Sequence, residues 1–218
     1  MRDGSIFASA RQKFRAGPNG LFVSFDLGQS WFRQTELCVH VLPGVSAADP
    51  LLGRSCYFGS FGVRRSDDQG VSWRSLLSGY IRDVVVVPGS ARILALFSDG
   101  PLSWLYVSSD GGDSWDSGRS VPFGRFALAP GAPDTIFGAN GSYLLDEARL
   151  LTGTISGEDF PYLGEQGLAP YSLVSNIIVA SDARESLYVV YTDYGERSTR
   201  LFRFSGRHER CRLLGRCE

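Results

Sequence analysis

Ser108-Ser109-Asp110-Gly111-Gly112-Asp113-Ser114-Trp115 has two earlier counterparts in the chain, Ser24-Phe25-Asp26-Leu27-Gly28-Gln29-Ser30-Trp31 and Ser66-Asp67-Asp68-Gln69-Gly70-Val71-Ser72-Trp73. All three read Ser-x-Asp-x-Gly-x-Ser-Trp, and their aspartates at 26, 68 and 110 are spaced by 42 residues both times. Five matched positions recurring three times at one period mark a repeat architecture. In such a fold each unit is one supersecondary element that buries its core against its neighbours.

The repeat extends beyond the motif. Val41-Leu42-Pro43-Gly44, Val86-Val87-Pro88-Gly89 and Leu128-Ala129-Pro130-Gly131 are related segments; Pro88 and Pro130 are again 42 residues apart, while Pro43 and Pro88 are 45 apart. An insertion between Val45 and Leu52 accounts for the difference. The third unit carries four strand signals: Asp83–Val87, Ile93–Phe97, Trp104–Ser108 and Ser114–Ser117. The first, a continuous β-branched run, reads as the most buried strand, covered on both faces. Four short antiparallel strands per unit are the pattern of a propeller blade.

The other units follow the same template. The first supplies Ser5–Ser9 and Gly20–Ser24; the second Cys38–Leu42, Ser55–Gly59, Gly62–Ser66 and Trp73–Leu77. The fourth begins at Phe126–Ala129 and Thr135–Ala139, then loses the motif in an irregular stretch from Leu150 to Tyr171. The fifth reads Ile177–Ala180, Leu187–Tyr191 and Leu201–Phe204, with a weak last strand at Cys211–Leu214. The expected fold is therefore all-β: one propeller domain, 1–218, of about five four-stranded antiparallel blades at 1–35, 36–79, 80–121, 122–172 and 173–218. On this register the first strand of the first blade precedes Met1. Either the C-terminal segment supplies it, or the chain is a fragment of a larger propeller.

Composition fits that reading and excludes several functions. Glycine is abundant at 26 residues, as many tight turns require. A net charge of −1 argues against nucleic-acid or anionic-membrane binding. No apolar run is long enough for a membrane span. The first residues, Met1-Arg2-Asp3-Gly4-Ser5, lack the apolar segment of a secretory signal. Cys38 with Cys56 and Cys211 with Cys217 are either ordinary thiols or two short-range disulfides of an exported protein. The disulfide alternative makes a periplasmic or extracellular location the expectation. No Cys-x-x-Cys spacing occurs and the chain has two histidines, so no metal or other cofactor is expected. His40 reads as a structural residue.

The motif falls at the turn between third and fourth strands. A short carboxylate there can accept hydrogen bonds from its own turn, the following glycine permits a positive φ, and the indole N–H needs an acceptor. Residues repeated once per blade diverge around a ring rather than converge on a reaction centre. Asp26, Asp68 and Asp110, with Ser24, Ser66, Ser108, Gly28, Gly70, Gly112, Ser30, Ser72, Ser114, Trp31, Trp73 and Trp115, are accordingly read as structural.

These residues resemble the Asp-box, or bacterial neuraminidase repeat. The resemblance implies a sialidase-like or sortilin-like β-propeller in which the box is a structural hairpin away from the binding face. A glycoside hydrolase of sialidase-like or endoglucanase-like type must be weighed, because such enzymes carry the box. Hydrolysis needs two carboxyl groups flanking the scissile bond, and no catalytic residue can be matched by motif. A non-catalytic module recognising a protein or glycan fits better, and an assembly factor for a membrane complex is a third reading. The candidate contact residues are Glu158, Asp159 and Tyr162 in the irregular stretch, and Arg200, Arg203 and Arg207 in the arginine-rich C-terminal region. Guanidinium groups suit carboxylate and sulfate ligands.

Overall fold

The computed structural model describes residues 6–10, 20–35, 40–43, 56–59, 62–67, 72–87, 89–99, 102–140, 149–163, 172–180, 186–193, 198–204 and 212–217. These form eighteen strands and no helix. The chain divides into two compact units, Met1–Ser120 and Val121–Glu218.

The first unit holds three antiparallel sheets. One contains β1 (Ile6–Ala10), β2 (Gly20–Ser24) and β3 (Phe32–Thr35) in that order. The next runs β4 (His40–Pro43), β5 (Cys56–Gly59), β6 (Gly62–Ser66) and β7 (Arg74–Ser78). The third runs β8 (Ile81–Val86), β9 (Ile93–Asp99), β10 (Leu102–Ser108) and β11 (Arg119–Val121). Every strand pairs with its neighbour in sequence, so each sheet is a meander of hairpins. Val63 of β6 packs with Ile81, Val84, Ile93 and Ala95 to make a core between the second and third sheets. The valines and isoleucines each contribute roughly 1.5–3 kcal/mol when fully buried.

The strand buried on both faces is β9, not β8. Ile93, Leu94, Ala95 and Leu96 are all fully buried, whereas of Asp83–Val87 only Val84 and Val87 are buried and the others are half-buried. Position within the sheet explains this correction: β9 is flanked by strands on both sides and β8 is an edge. The pairing of β8 with β9 also slips between Ile81 and Asp83, leaving Arg82 as an extra residue on the edge.

A second correction concerns the last strand of this sheet, expected at Ser114–Ser117 and found at Arg119–Val121. Asp116 sets the offset. Its N–H donates to the Val107 carbonyl (3.0 Å), and its carboxylate accepts from the N–H groups of Val107 (2.9 Å) and Gly118 (3.1 Å). A side chain thus supplies the acceptor that a continuing strand would offer, and the ladder resumes afterwards.

The second unit has a three-stranded sheet, β12 (Arg125–Ala129), β13 (Ala132–Asn140) and β14 (Arg149–Thr154). Beside it is a four-stranded sheet of β15 (Ser172–Val179), β16 (Leu187–Asp193), β17 (Ser198–Phe204) and β18 (Arg212–Cys217). Ala139, Leu150, Val174, Ile177, Leu187, Val189, Tyr191 and Phe204 form its core. The start of the stretch expected to be irregular is the regular strand β14, paired from Arg149 to Thr154 with Asn140 to Thr135.

The chain then doubles back. Thr152 N–H donates to Pro161 O (3.0 Å) and Leu163 N–H to Leu150 O (2.8 Å), with one bridge between Leu151 and Tyr162. This is a fourth strand reduced to a single bridge. Phe160 holds it in place against Phe123, ring centroids 5.0 Å apart and nearly perpendicular.

Candidate functional site

Two of the three repeated turns are described in full, and they are the same object. In the first, Ser24 Oγ donates to Asp26 Oδ1 (2.7 Å) and accepts from Gly28 N–H (2.7 Å). Ser30 donates its N–H to Asp26 Oδ1 (2.8 Å) and its hydroxyl to Oδ2 (2.5 Å), and Trp31 Nε1 donates to Gly28 O (3.1 Å). In the third turn the corresponding distances for Ser108, Asp110, Gly112, Ser114 and Trp115 are 2.8, 2.8, 2.9, 2.5 and 3.2 Å. Gly28 and Gly112 take φ of 91° and 93°, in the region that favours glycine. For the second turn, Asp68 and Gly70 and the Ser66 side chain lie outside the described residues.

The aspartates are held as anions. Donation from the Ser30 hydroxyl and N–H, then from Ser24, lowers the Asp26 pKa from 3.8 to about 2. The Ser114 and Ser108 donors push Asp110 down by the same means. Both groups bind protons more weakly in the folded chain than in the unfolded one. Their stabilising contribution is therefore complete above 3.8 and is lost as pH falls through the folded value. An acid titration of stability is expected to decline from pH 3.8 towards about 2, and Asp110→Asn should flatten that decline. A slope unchanged in the variant would mean that the turn carboxylates do not govern acid sensitivity.

Of the contact candidates from the sequence, Arg200 and Arg203 are not brought together. Arg200 and Arg203 both lie on β17, whose register with β16 is unbroken, so an odd separation places them on opposite faces. Arg203 donates from Nε (3.2 Å) and Nη2 (2.8 Å) to Ser186 Oγ and lies over the Tyr188 ring at 5.9 Å. Arg200 Nε donates to Ser198 Oγ (3.4 Å). Arg207 lies outside the described residues. Glu158, Asp159 and Tyr162 are exposed on the returning segment after β14, where the Arg149 guanidinium sits 4.7 Å from the Tyr162 ring centroid.

Cys38 and Cys211 lie outside the described residues, as do the side chains of Cys56, Cys217 and His40, so the disulfide pairing and the histidine's role fall there too. Among the described residues no cluster of three His, Cys, Asp or Glu could hold a metal ion. Among those residues also, no helix is long and apolar enough to cross a membrane.

Sequence reasoning missed how the third turn is seated. Arg65 of β6 donates from Nη1 to the Gly111 carbonyl (3.3 Å), and Arg74 of β7 pairs with Asp113 (2.6 Å). The signal was present: Arg65 directly precedes one motif and Arg74 directly follows it. The Arg74 pair is solvent-exposed and worth at most about 1 kcal/mol.

Meandering antiparallel sheets of this kind place the chain among all-β proteins of propeller fold, and solved structures agree. It is similar to the GH74 xyloglucanase from Xanthomonas campestris, with TM-score 0.64 and 19% identity over 97% of this chain and 37% of that one. It is similar to a chain of the nidogen–laminin complex, with TM-score 0.65 and 11% identity over 98% and 75%. It is similar to YCF48 bound to D1 peptide, with TM-score 0.52 and 13% identity over 90% and 60%. The chain thus spans little more than a third of the xyloglucanase's length. No protein-family model and no curated protein matches it.

Proposed function

We propose that the chain is a non-catalytic interaction module of the Asp-box type that recognises a protein or peptide and works outside the cytoplasm. The observation that carries this reading is the state of the repeated carboxylates. Both described aspartates direct their oxygens at donors within four residues, which leaves them a scaffolding task. Catalytic carboxyls must instead flank a substrate bond. Fold likeness adds weight, since YCF48 is seen with a bound peptide and another neighbour lies within the nidogen–laminin complex. Holding a subunit during assembly of a membrane complex is one form that such recognition can take.

The second reading, a glycoside hydrolase, is favoured by the likeness to the xyloglucanase. One experiment separates the two. The purified chain is incubated with xyloglucan and fluorogenic glycosides, and in parallel with a peptide array. Saturable peptide binding without turnover is the expected result. Release of reducing sugar or fluorophore would replace the module with an enzyme.

A further inference from the structure

In each four-stranded sheet a paired strand fills the outer place: β7, β11 or β18. Beside β14 that place is held by the returning segment, residues 155–163. Among the described residues it pairs with β14 through one bridge, between Leu151 and Tyr162.

The register explains why the pairing is so short. Leu151 and Tyr162 face each other without exchanging bonds, so the pairs on either side carry them: Leu150 with Leu163, and Thr152 with Pro161. A hydrogen-bonded pair of this kind normally exchanges two bonds, each residue donating once. Thr152 N–H donates to Pro161 O (3.0 Å), but proline has no N–H to return to the Thr152 carbonyl. A proline turned towards a strand therefore halves the bonding at its place in the ladder.

Side-chain packing fastens the segment instead. Gly138 pairs with Leu151 and Gly153 with Ile136, which puts both glycines on one face of β13 and β14. They leave a trough. A Cβ at Gly138 would lie 2.6 Å from Phe123 Cδ1, and one at Gly153 would lie 2.5 Å from Phe160 Cδ1. Phe123 and Phe160 meet edge to face there. The root of the segment is held separately, since Ile155 is buried and its N–H donates to Asp134 O (2.8 Å). Residues 158–163 thus combine a good anchor with a poor ladder, and a segment so joined opens before the sheet beneath it.

We infer that the outer edge of β14 is a strand-acceptance site and that residues 158–163 are a strap closing it. The occupant is an extended peptide of a partner protein, antiparallel to β14, with a phenylalanine for the trough. It carries a residue other than proline opposite Thr152, and so makes both bonds where the strap makes one. The strap supplies the pattern, because it already places a phenylalanine and a main-chain acceptor at those points. Main-chain pairing gives such a peptide affinity, and the trough gives it specificity. A bare strand edge is an aggregation hazard, which the strap covers until a better strand replaces it. This inference rests on the interaction-module reading and names the site and the kind of partner.

The test uses the full chain and, as probe, a labelled peptide copying residues 157–163 with Pro161→Ala. Saturable binding is expected. Phe160→Ala in the chain empties the trough and should tighten binding at least about tenfold. Tyr162→Ala in the chain removes an exposed ring from the Arg149 guanidinium, loosens the strap and should also tighten binding. It replaces Phe160→Ala if that variant fails to fold. A probe that keeps its proline should bind about two- to tenfold more weakly, the net effect of one hydrogen bond. A probe with Phe160→Ser should lose at least about tenfold. Bound probe should slow amide exchange at Thr152 in the loosened chain. No saturation up to about 1 mM probe in any of these chains overturns the inference. Binding that both chain variants leave unchanged overturns it too, because the site then lies elsewhere. So does binding indifferent to the probe's phenylalanine or proline, or one that leaves Thr152 exchange as it was. Peptide-array binding without binding of this probe would overturn the β14 site alone, whereas glycoside turnover would overturn the module reading.

Discussion

Gly112→Val is expected to lower stability by about 2–5 kcal/mol, the sum of a left-handed backbone strain of about 1–2 and an overpacking cost of about 1–3. Both terms are visible at this position. Its φ is 93°, and a Cβ there would run into Leu76 Cδ1 and sit 3.3 Å from Leu76 Cγ, so Leu76 of β7 must shift to admit it. Gly89→Ala is the control, because Gly89 has φ of 73° with no atom within 4 Å of an added Cβ. The control carries the strain alone, so its cost should stay near 1–2 kcal/mol. Denaturant melts measure both, and equal losses would show that the third turn is not seated on β7 as described.

Phe123→Ala should cost about 3–5 kcal/mol. The ring is almost wholly buried and packs on Phe126 at 6.1 Å and Phe160 at 5.0 Å. It also lies where a Cβ on Gly138 would sit, so the glycine makes room for the ring. Since Phe160 is what pins the returning segment, the loss should be felt locally as well as globally. Amide exchange at Thr152 and Leu163, whose N–H groups bond Pro161 and Leu150, should rise more than exchange at Val189 in β16. Uniform acceleration would mean that the segment is held by something other than Phe160.

Much of this architecture could be read from spacing. The repeated motif located the two turns that are described, and apolar runs such as Ile93–Phe97 and Leu187–Tyr191 located strands that begin where expected. What could not be read depended on neighbours in space. Asp83–Val87 and Ile93–Phe97 are both apolar, and only their order in the sheet shows which is an edge. The strand expected from Ser114 was displaced by the Asp116 carboxylate, which composition does not distinguish from any surface aspartate. The strand β14 went unseen because Arg149–Thr154 ends in Thr-Gly-Thr, and its support comes from β13 and from Phe160 beyond it. Arg200 and Arg203 look like a cluster in sequence, but a β-strand of any register puts residues three apart on opposite faces. At the candidate site the hydrogen-bonding residues of the turns were legible from the motif, whereas the seating of the third turn by Arg65 and Arg74 becomes visible only in space.

The turn hydrogen bonds have a kinetic consequence. Every partner of Asp26 and Asp110 lies within four residues along the chain. Closing such a loop costs little chain entropy, and hairpins form in about 1–10 μs, well before distant segments meet. The turns are therefore suited to nucleate their own hairpins, so that sheets assemble from preformed pairs and slow long-range searching is confined to stacking one sheet on another. Ser108→Ala should slow folding nearly in proportion to its loss of stability, while Phe123→Ala should chiefly speed unfolding. A repeat written into the sequence as a turn would then act first as a set of starting points for the fold.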